Sequence, residues 1–450
     1  MAIQELHWGA SLTQQSKTAA EWTGAPRNYF IWTIGCQMNT ADSDRLGSAL
    51  QQMGLSQATS MKDADVVVLN SCVVRQSAED KVTGTLGMLK PLKTDNPNRI
   101  VALMGCMVGP RDEELVRRFP YVDAWAQPQQ FQPILEAARE AGALDVLTLR
   151  DVSEGEFWPT TYGRPEGPTA FVPVVHGCDK MCTYCIVPLR RGRERSRPVL
   201  EVLDEVRHLA KHGVREVTLV GQTVEAYGHD LEPTSGNGLG QRADGRPDLA
   251  TLFEGIERVG GIDRIRFLTS YPRDMTDRIV DAVADFSRVC EHFNIPVQSG
   301  ADSMLKRMRR GYTVEQFEER VARIRQRMPH ATLATDVIVG CPGETDAEFL
   351  ATVQLLERLH FNVIHVAAYS PRPGTFAARR MDDDIPAEVK RERLQVIEQL
   401  HAESAREHNR PLLGSQVEVL VEREQDGRSS GRTRGGQLVH FDGSGLVGRL

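Results

Sequence analysis

The sequence lacks any run near the roughly 18–20 apolar residues needed to cross a bilayer, so no transmembrane helix is expected. Its first residues, MAIQELHWGASLTQQSKTAAEW, lack a charged stretch followed by an apolar core, so no export signal is expected and a cytoplasmic location is. A net positive charge is also missing: 54 Lys plus Arg stand against 61 Asp plus Glu, a formal −7. Any nucleic-acid partner must therefore be met by a local basic surface. Low-complexity tracts and solenoid-period repeats are absent, and no histidine sits where conventional acid–base catalysis would need one. What is present is a globular composition, 40% apolar and 26% charged, over 450 residues. That length implies two or three domains.

The eight cysteines carry the most information. In a long chain without an export signal, clustered thiols point to a metal or to catalysis rather than to disulfides. Cys178, Cys182 and Cys185 form C-x3-C-x2-C in GCDKMCTYC, while Cys36, Cys72 and Cys106 are spread over the first quarter. Cys290 and Cys341 read most simply as core residues.

Residues 1–26 read as a tail. Over 27–150, strand-like runs at NYFIWTIG, DADVVVLNS, RIVALMG and YVDAWA alternate with helical SDRLGSALQQMG, SAEDKVTGTLGMLK and RDEELVRRF. Such alternation implies an open, mostly parallel α/β sheet. Cys36, Cys72 and Cys106 each follow a strand, at the end where ligand groups converge in such sheets. The Gly- and Pro-rich stretch 151–168 reads as a linker. Over 169–410, six strands (AFVPVVH, REVTLVG, RIRFLTS, HFNIPVQS, ATLATDVIVG, NVIHVAAYS) alternate with helices, which implies a partial (β/α)6 barrel with its working groups at the strand C-termini. The GNGLG stretch at 236–240 follows no strand and reads as an insertion. Residues 411–450 change to short β-type runs with Asp-Gly turns, a small β module.

Three thiolates in one short loop can wrap a cubane iron–sulfur cluster and leave one iron open. A zinc site completed from elsewhere, or unliganded core cysteines, would give the same spacing, although no fourth Cys or His lies close beyond Cys185. The earlier trio could equally be buried small hydrophobes. The run RRGRERSR supplies Arg190, Arg191, Arg193, Arg195 and Arg197 for phosphate or carboxylate contacts, or for a solvated face paired with Glu194. Arg432 and Arg434 in GRTRGG, with His440 and Phe441 nearby, could grip a nucleic-acid backbone and stack on a base; a surface turn would look the same.

C-x3-C-x2-C with an aromatic before the last Cys, on the first strand of a six-strand barrel, resembles the radical S-adenosylmethionine superfamily. GCQMNTADSD, NSCVVRQSAEDKV, MGCM, CTYCIVPLRRGRERSR, PVQSGADSMLKRM, DVIVGCPGET and GRTRGGQLVHF, together spanning nearly the whole chain, resemble its methylthiotransferase family. The resemblance implies two [4Fe-4S] clusters, one on Cys178, Cys182 and Cys185 and an auxiliary one on Cys36, Cys72 and Cys106. It implies S-adenosylmethionine held by Tyr184, Gln222, Ser270, Gln298 and Asp336, although strand-end polar residues also serve as caps. A TRAM-like RNA-binding C-terminal module follows from it, shorter here than a complete one, with tRNA as substrate. An electron donor such as flavodoxin or ferredoxin and a monomeric state are the remaining expectations. GCQMN, Val74-Arg75 after Cys72, PVQSG and GRTRGGQLVHF look most like the branch acting on isopentenylated tRNA adenosine. Other branches act on threonylcarbamoylated adenosine or on an aspartate of a ribosomal protein, and a non-catalytic iron–sulfur RNA-binding protein is a reading of another class. GQTVEAYG departs from the common GQNVN, and Tyr271 stands where SHP is frequent.

Overall fold

A computed structural model describes residues 25–109, 113–144, 165, 167–233, 238–268 and 270–450. The expected tail and linker fall largely outside these, as does the start of the 236–240 insertion.

Strands β1 (Asn28–Thr33), β2 (Ser56–Gln57), β3 (Val66–Ser71), β4 (Ile100–Gly105) and β5 (Ala124–Ala126) form a parallel sheet in the order β2-β1-β3-β4-β5. β3 and β4 bury every residue, as near-continuous apolar runs do when both faces are covered. Helices α1 (Gln37–Gln52) and α4 (Gln132–Glu140) cover one face, where Leu46, Leu50, Ile134 and Leu135 pack on Val66, Val68 and Ala102. Helix α2 (Gln76–Asp95) covers the other with Val82, Leu86 and Leu89 on Val67, Leu69 and Leu103, and the short α3 (Glu113–Arg118) follows β4. Two boundaries differ from the sequence reading. Helix α1 begins directly after Cys36 rather than at Ser43, and α2 runs on through Pro91. The early turn of α1 contributes Met38 and Ala41, whose partners lie more than a hundred residues away, out of reach of local periodicity.

The second unit comprises β6 (Thr169–Pro173), β7 (Val175–His176), α5 (Val187–Arg191), β8 (Arg195–Ser196), α6 (Val199–Lys211), β9 (Glu216–Val220), α7 (Leu249–Glu257) and β10 (Arg264–Phe267). It continues through α8 (Asp277–Asp285), β11 (His292–Asn294), α9 (Asp302–Arg307), α10 (Val314–Arg327), β12 (Thr332–Val339), α11 (Asp346–Leu359) and β13 (Val363–Ala368). Parallel pairing joins β6-β9-β10 and β11-β12-β13, and the bridge Ile265↔Val289 spans the step between the two sheets. Six strands thus stand in sequence order as an open barrel with β6 and β13 at its edges. The expected strand HFNIPVQS stops at Asn294 because Pro296 has no N–H to pair; contact with β12 resumes at Gln298↔Val337. The expected strand AFVPVVH divides, and its end, β7, pairs antiparallel with β8, so the arginine run folds back as a strand.

The first unit meets the barrel at β6 and again just past β13, whose own edge is covered by the later helix Ala387–Asn409, where His401 Nδ1 accepts from Ile364 N at 3.2 Å. On β6, Met38 and Ala41 of α1 pack against Phe171 and Val220. Arg45 of α1 donates to both oxygens of Glu205 at 2.9 Å, and Arg197 grips the same carboxylate. Burial alone would raise Glu205, but Arg45 and Arg197 outweigh it and hold the carboxyl below the usual range. Beyond β13, the buried Arg372 donates to the Val73 carbonyl at 3.3 Å and to Gln76 at 2.9 Å.

After α12 (Phe376–Arg380) and the long α13 (Ala387–Asn409), strands β14 (Val419–Gln425), β15 (Arg428–Thr433) and β16 (Leu438–Asp442) form an antiparallel meander. Asp426 and Gly427, at φ 51° and 76°, make its first turn, as the Asp-Gly signal predicts. The module caps the strand N-termini: Arg264 donates to the Arg432 carbonyl, and Arg266 to those of Thr433 and Arg434.

Arg372→Ala should loosen the start of α2. Hydrogen exchange is expected to show the amides of residues 74–79 opening more easily by about 1–3 kcal/mol, the scale of lost charge-assisted hydrogen bonds, with β3 unaffected.

Candidate functional site

Cys36 occupies the position capping α1, Cys72 follows β3 and Cys106 follows β4. Gly35 has φ +136°, and a Cβ there would meet the Cys72 Cβ at 2.9 Å, so two thiol-bearing loops are in direct contact. A polar ladder fixes the three strand ends. Asn39 accepts from Cys36 Sγ at 3.3 Å and donates to Asn70 Oδ1 at 3.0 Å and the Ser71 carbonyl at 2.8 Å. Ser71 in turn donates to the Met104 carbonyl at 2.6 Å and accepts from Met107 N at 3.2 Å. Burial pushes the Cys72 thiol up to about 12, with Cys106 and Cys36 adding to the effect, and burial raises Cys106 as well.

The second trio lies past β7. Gly177 has φ +68°, and a Cβ there would fall 2.0 Å from the Arg193 carbonyl oxygen, so no side chain is tolerated beside Cys178. Cys178 N donates to the Gly192 carbonyl at 3.1 Å and closes the loop. Thr183 N and Oγ1 anchor it to the carbonyls of Met308 and Arg307, both at 3.1 Å. Arg310 Nη1 donates to Cys182 Sγ at 3.4 Å. Burial lifts Cys178 to about 11 and Cys185 to about 12, with the Cys182 thiol adding to both.

All six thiols are free. Among the described residues no three His, Cys, Asp or Glu side chains close around a single ion. A cubane places each thiolate on a different iron and so asks for a wider spacing than one zinc ion. The donor sets suit such a cluster: crowded, buried thiols resist ionisation on their own, and a bound cation reverses that by deprotonating them outright. The two trios are neighbours. Ile186, next to Cys185, packs in one cluster with Val73, Cys106, Met107 and Val108. Arg191 crosses the same seam to Asp42 at 3.1 Å and Asn39 at 3.3 Å. Burial would lower Arg191, but Cys106 and Asp42 outweigh it and hold the guanidinium above its ordinary value.

Of the expected cofactor residues, Gln222 and Gln298 each present a buried Oε1 with no partner among the described residues, and Gln298 is held at φ +70°. Ser270 is buried at the end of β10. Burial pushes Asp336 up to about 6, tempered by a hydrogen bond from Asn294. Tyr184 packs among Met304, Met308, Cys341, Tyr369 and Ala377. Sequence reasoning missed three residues. Glu225 is 1% exposed and accepts from Tyr271 N at 3.3 Å through Oε2; burial pushes it up to about 8, tempered by the Ser270 side chain. Glu194, bonded to Thr223 at 3.0 Å, is pushed by burial to about 7. Arg310 is the third. Only Glu225 left a signal, as the acid in GQTVEAYG where the family pattern has Asn.

The arginines expected to face RNA need correction. Arg197 is fully buried on Glu205 and the Pro173 carbonyl, and Arg191 is interior at the seam, since closing the barrel edge requires cations opposite Glu205 and Asp42. Arg193 is exposed and bonded to Asp179; Arg195 is exposed and Arg190 partly so. Arg432 pairs with Glu422 of β14 within the module, while Arg434 holds the module to the barrel through Glu291 at 2.9 Å and the Val289 carbonyl at 2.7 Å.

Residues 172–356 match the family described as the Radical SAM superfamily, and residues 28–127 match Uncharacterized protein family UPF0004. A Chloroflexus aurantiacus protein named tRNA-2-methylthio-N(6)-dimethylallyladenosine synthase is 42% identical over 442 residues, 97% of this chain and 91% of that one. A Dehalococcoides mccartyi protein of the same name is 43% identical over 414 residues, 92% of each. Among solved structures, the radical S-adenosylmethionine methyltransferase TsrM from Kitasatospora setae has a TM-score of 0.55 at 16% identity, covering 78% of this chain and 77% of that one, a likeness of fold alone.

Glu225 gives a pH signature. Its folded value near 8 lies above the usual 4.5, so its contribution to stability is complete below about 4.5 and is lost as pH rises toward 8. Glu225→Gln should gain on the wild type between pH 5 and 8, by about 1.4 kcal/mol per pH unit at most, in denaturant titrations of the metal-free protein. Parallel curves for the two proteins would contradict the buried, protonated state.

Proposed function

The chain belongs to the tRNA-2-methylthio-N(6)-dimethylallyladenosine synthase family, and on that premise we propose that it converts N6-isopentenyladenosine beside a tRNA anticodon into its 2-methylthio derivative. It is a radical S-adenosylmethionine enzyme of the methylthiotransferase kind, acting on tRNA. The substrate carbon bears an unactivated aromatic C–H with no leaving group, so sulfur insertion needs hydrogen abstraction and a sulfur atom held close by. The observation that carries the reading is the adjacency of two cysteine trios through Ile186, Cys106 and Arg191.

In this reading Cys178, Cys182 and Cys185 hold one [4Fe-4S] cluster, and Cys36, Cys72 and Cys106 hold a second. With S-adenosylmethionine bound, the first supplies the hydrogen-abstracting radical and the second carries the sulfur. The chain's own residues do the positioning. The unpartnered oxygens of Gln222 and Gln298 suit N–H or O–H donors of S-adenosylmethionine, with Ser270 and Asp336 beside them. Gly35 and Gly177 keep the loops close enough for the thiols to converge. The seam pairs Arg45–Glu205 and Arg191–Asp42 fix the two trios relative to each other. Arg193, which bonds Asp179, and Arg195 are both exposed, and in this reading their surface faces the RNA backbone. A low-potential one-electron donor of the flavodoxin or ferredoxin kind and a tRNA substrate place the work in the cytoplasm.

Anaerobically reconstituted protein should hold about eight irons, falling to about four when Cys178, Cys182 and Cys185 are all replaced by Ala, and again to about four when Cys36, Cys72 and Cys106 are. Mass spectrometry of tRNA from a deletion strain should show isopentenyladenosine without its methylthio group, restored by the wild-type gene and by neither triple variant. Unchanged tRNA with a lost modification on a ribosomal protein would assign the substrate there instead.

A further inference from the structure

Arg310 is 5% exposed. Each arm of its guanidinium is accounted for: Nε donates to Tyr312 Oη at 2.9 Å, Nη2 to the Pro296 carbonyl at 3.2 Å, and Nη1 to Cys182 Sγ at 3.4 Å. Its plane lies 4.6 Å from the centre of the Tyr271 ring and 5.3 Å from that of Tyr312. Among the described residues no carboxylate comes within ion-pair reach; Asp336 feels its charge but is hydrogen-bonded to Asn294. Several other interior arginines have such a partner, as Arg197 has Glu205, Arg266 has Glu216 and Arg393 has Glu344, while the buried Arg99 spends its guanidinium on the carbonyls of Ala64, Leu92 and Lys62.

A buried cation without a counter-charge is costly, and proteins rarely keep one unpaired. Of the groups its arms touch among the described residues, the Cys182 thiol is the one that metal binding would turn into an anion, whereas burial holds the Tyr312 phenol above its ordinary value. We propose that Arg310 is the protein's counter-charge to the iron–sulfur cluster on Cys178, Cys182 and Cys185, and that its hydrogen bond to the Cys182 sulfur makes that cluster easier to reduce. The cluster gains one electron from a low-potential one-electron donor and becomes more negative by one charge; no bond breaks, and Arg310 keeps its proton throughout. A fixed cation beside a ligand sulfur stabilises the reduced form more than the oxidised one and so raises the potential. Tyr312 and the Pro296 carbonyl fix the fork, and the ring faces of Tyr271 and Tyr312 shield the charge from water without neutralising it. Arg310 is thus a positioning residue that acts through Cys182.

The inference rests on the cluster-ligand role of Cys182 proposed above. The test is an EPR-monitored redox titration of the reconstituted full-length protein, following the signal that changes when S-adenosylmethionine is added, with iron and sulfide counted on each sample. Arg310→Met should load the same iron and titrate at a more negative midpoint, and Arg310→Lys, which restores the charge, should return the midpoint toward the wild type. Should Arg310→Met fail to load, Arg310→Gln carries the same expectation, since it keeps a donor but loses the charge. A loaded Met or Gln variant with an unshifted midpoint overturns the proposal. The same unshifted midpoint with weakened S-adenosylmethionine binding assigns Arg310 to the cofactor carboxylate, and overturns it equally. A wild type that holds no iron at Cys178, Cys182 and Cys185 removes the underlying reading instead, an outcome distinct from both.

Discussion

The buried carboxylate of Glu205, shared by Arg45 of the first sheet and Arg197 of the barrel, is the interaction on which the arrangement depends. A six-strand barrel that does not close leaves two edges, and each must be covered. At β6 the covering is α1, and Glu205 is the point where both units place a guanidinium on one acid. Breaking such a group is expected to cost about 3–5 kcal/mol because the remaining charge stays buried. At the other edge Arg372 reaches the loop that carries Cys72. The helix beginning at Cys36 thus covers β6, and Arg372 ties the loop following Cys72 to the chain just past β13, whose own edge α13 covers. The elements that carry Cys36 and Cys72 are therefore in contact with the barrel at both of its ends.

The site chemistry follows from where those thiols sit. Strand C-termini gather side chains from distant parts of the sequence, and the Asn39–Asn70–Ser71 ladder removes the remaining freedom between three of them. Burial makes each bare trio a poor set of anions, with Cys72, Cys106, Cys178 and Cys185 all held above the ordinary thiol range. A bound iron–sulfur cluster would change the sign of that environment. The desolvated acids Glu194 and Glu225 are protonated at values where exposed ones are not, and Arg310, bonded to Cys182, has no carboxylate in ion-pair reach among the described residues.

Much of this was legible in the sequence. The alternation of strands and helices gave both α/β units, and GCDKMCTYC announced its loop without help from the fold. The signals that failed were those whose meaning lies in a distant partner. RRGRERSR looks like a basic surface, yet its two most buried arginines answer Asp42 and Glu205, more than a hundred residues before and eight after. GRTRGG looks like an RNA grip, but both its guanidiniums meet glutamates, Arg432 within the module at Glu422 and Arg434 on the barrel at Glu291. Arg310 in MRRGY has no local mark, because what sets it apart is its contact with Cys182, 128 residues earlier, which only the packed interior reveals.

The central claim is that two iron–sulfur clusters lie side by side across the seam. The most direct measurement is the EPR spectrum of the fully loaded, fully reduced protein, compared with spectra of variants that retain only one trio. Neighbouring paramagnets broaden and split each other's signals and speed each other's relaxation. The account predicts that the doubly loaded spectrum cannot be reproduced by adding the two single-trio spectra. A spectrum equal to that sum, with relaxation unchanged, would contradict it.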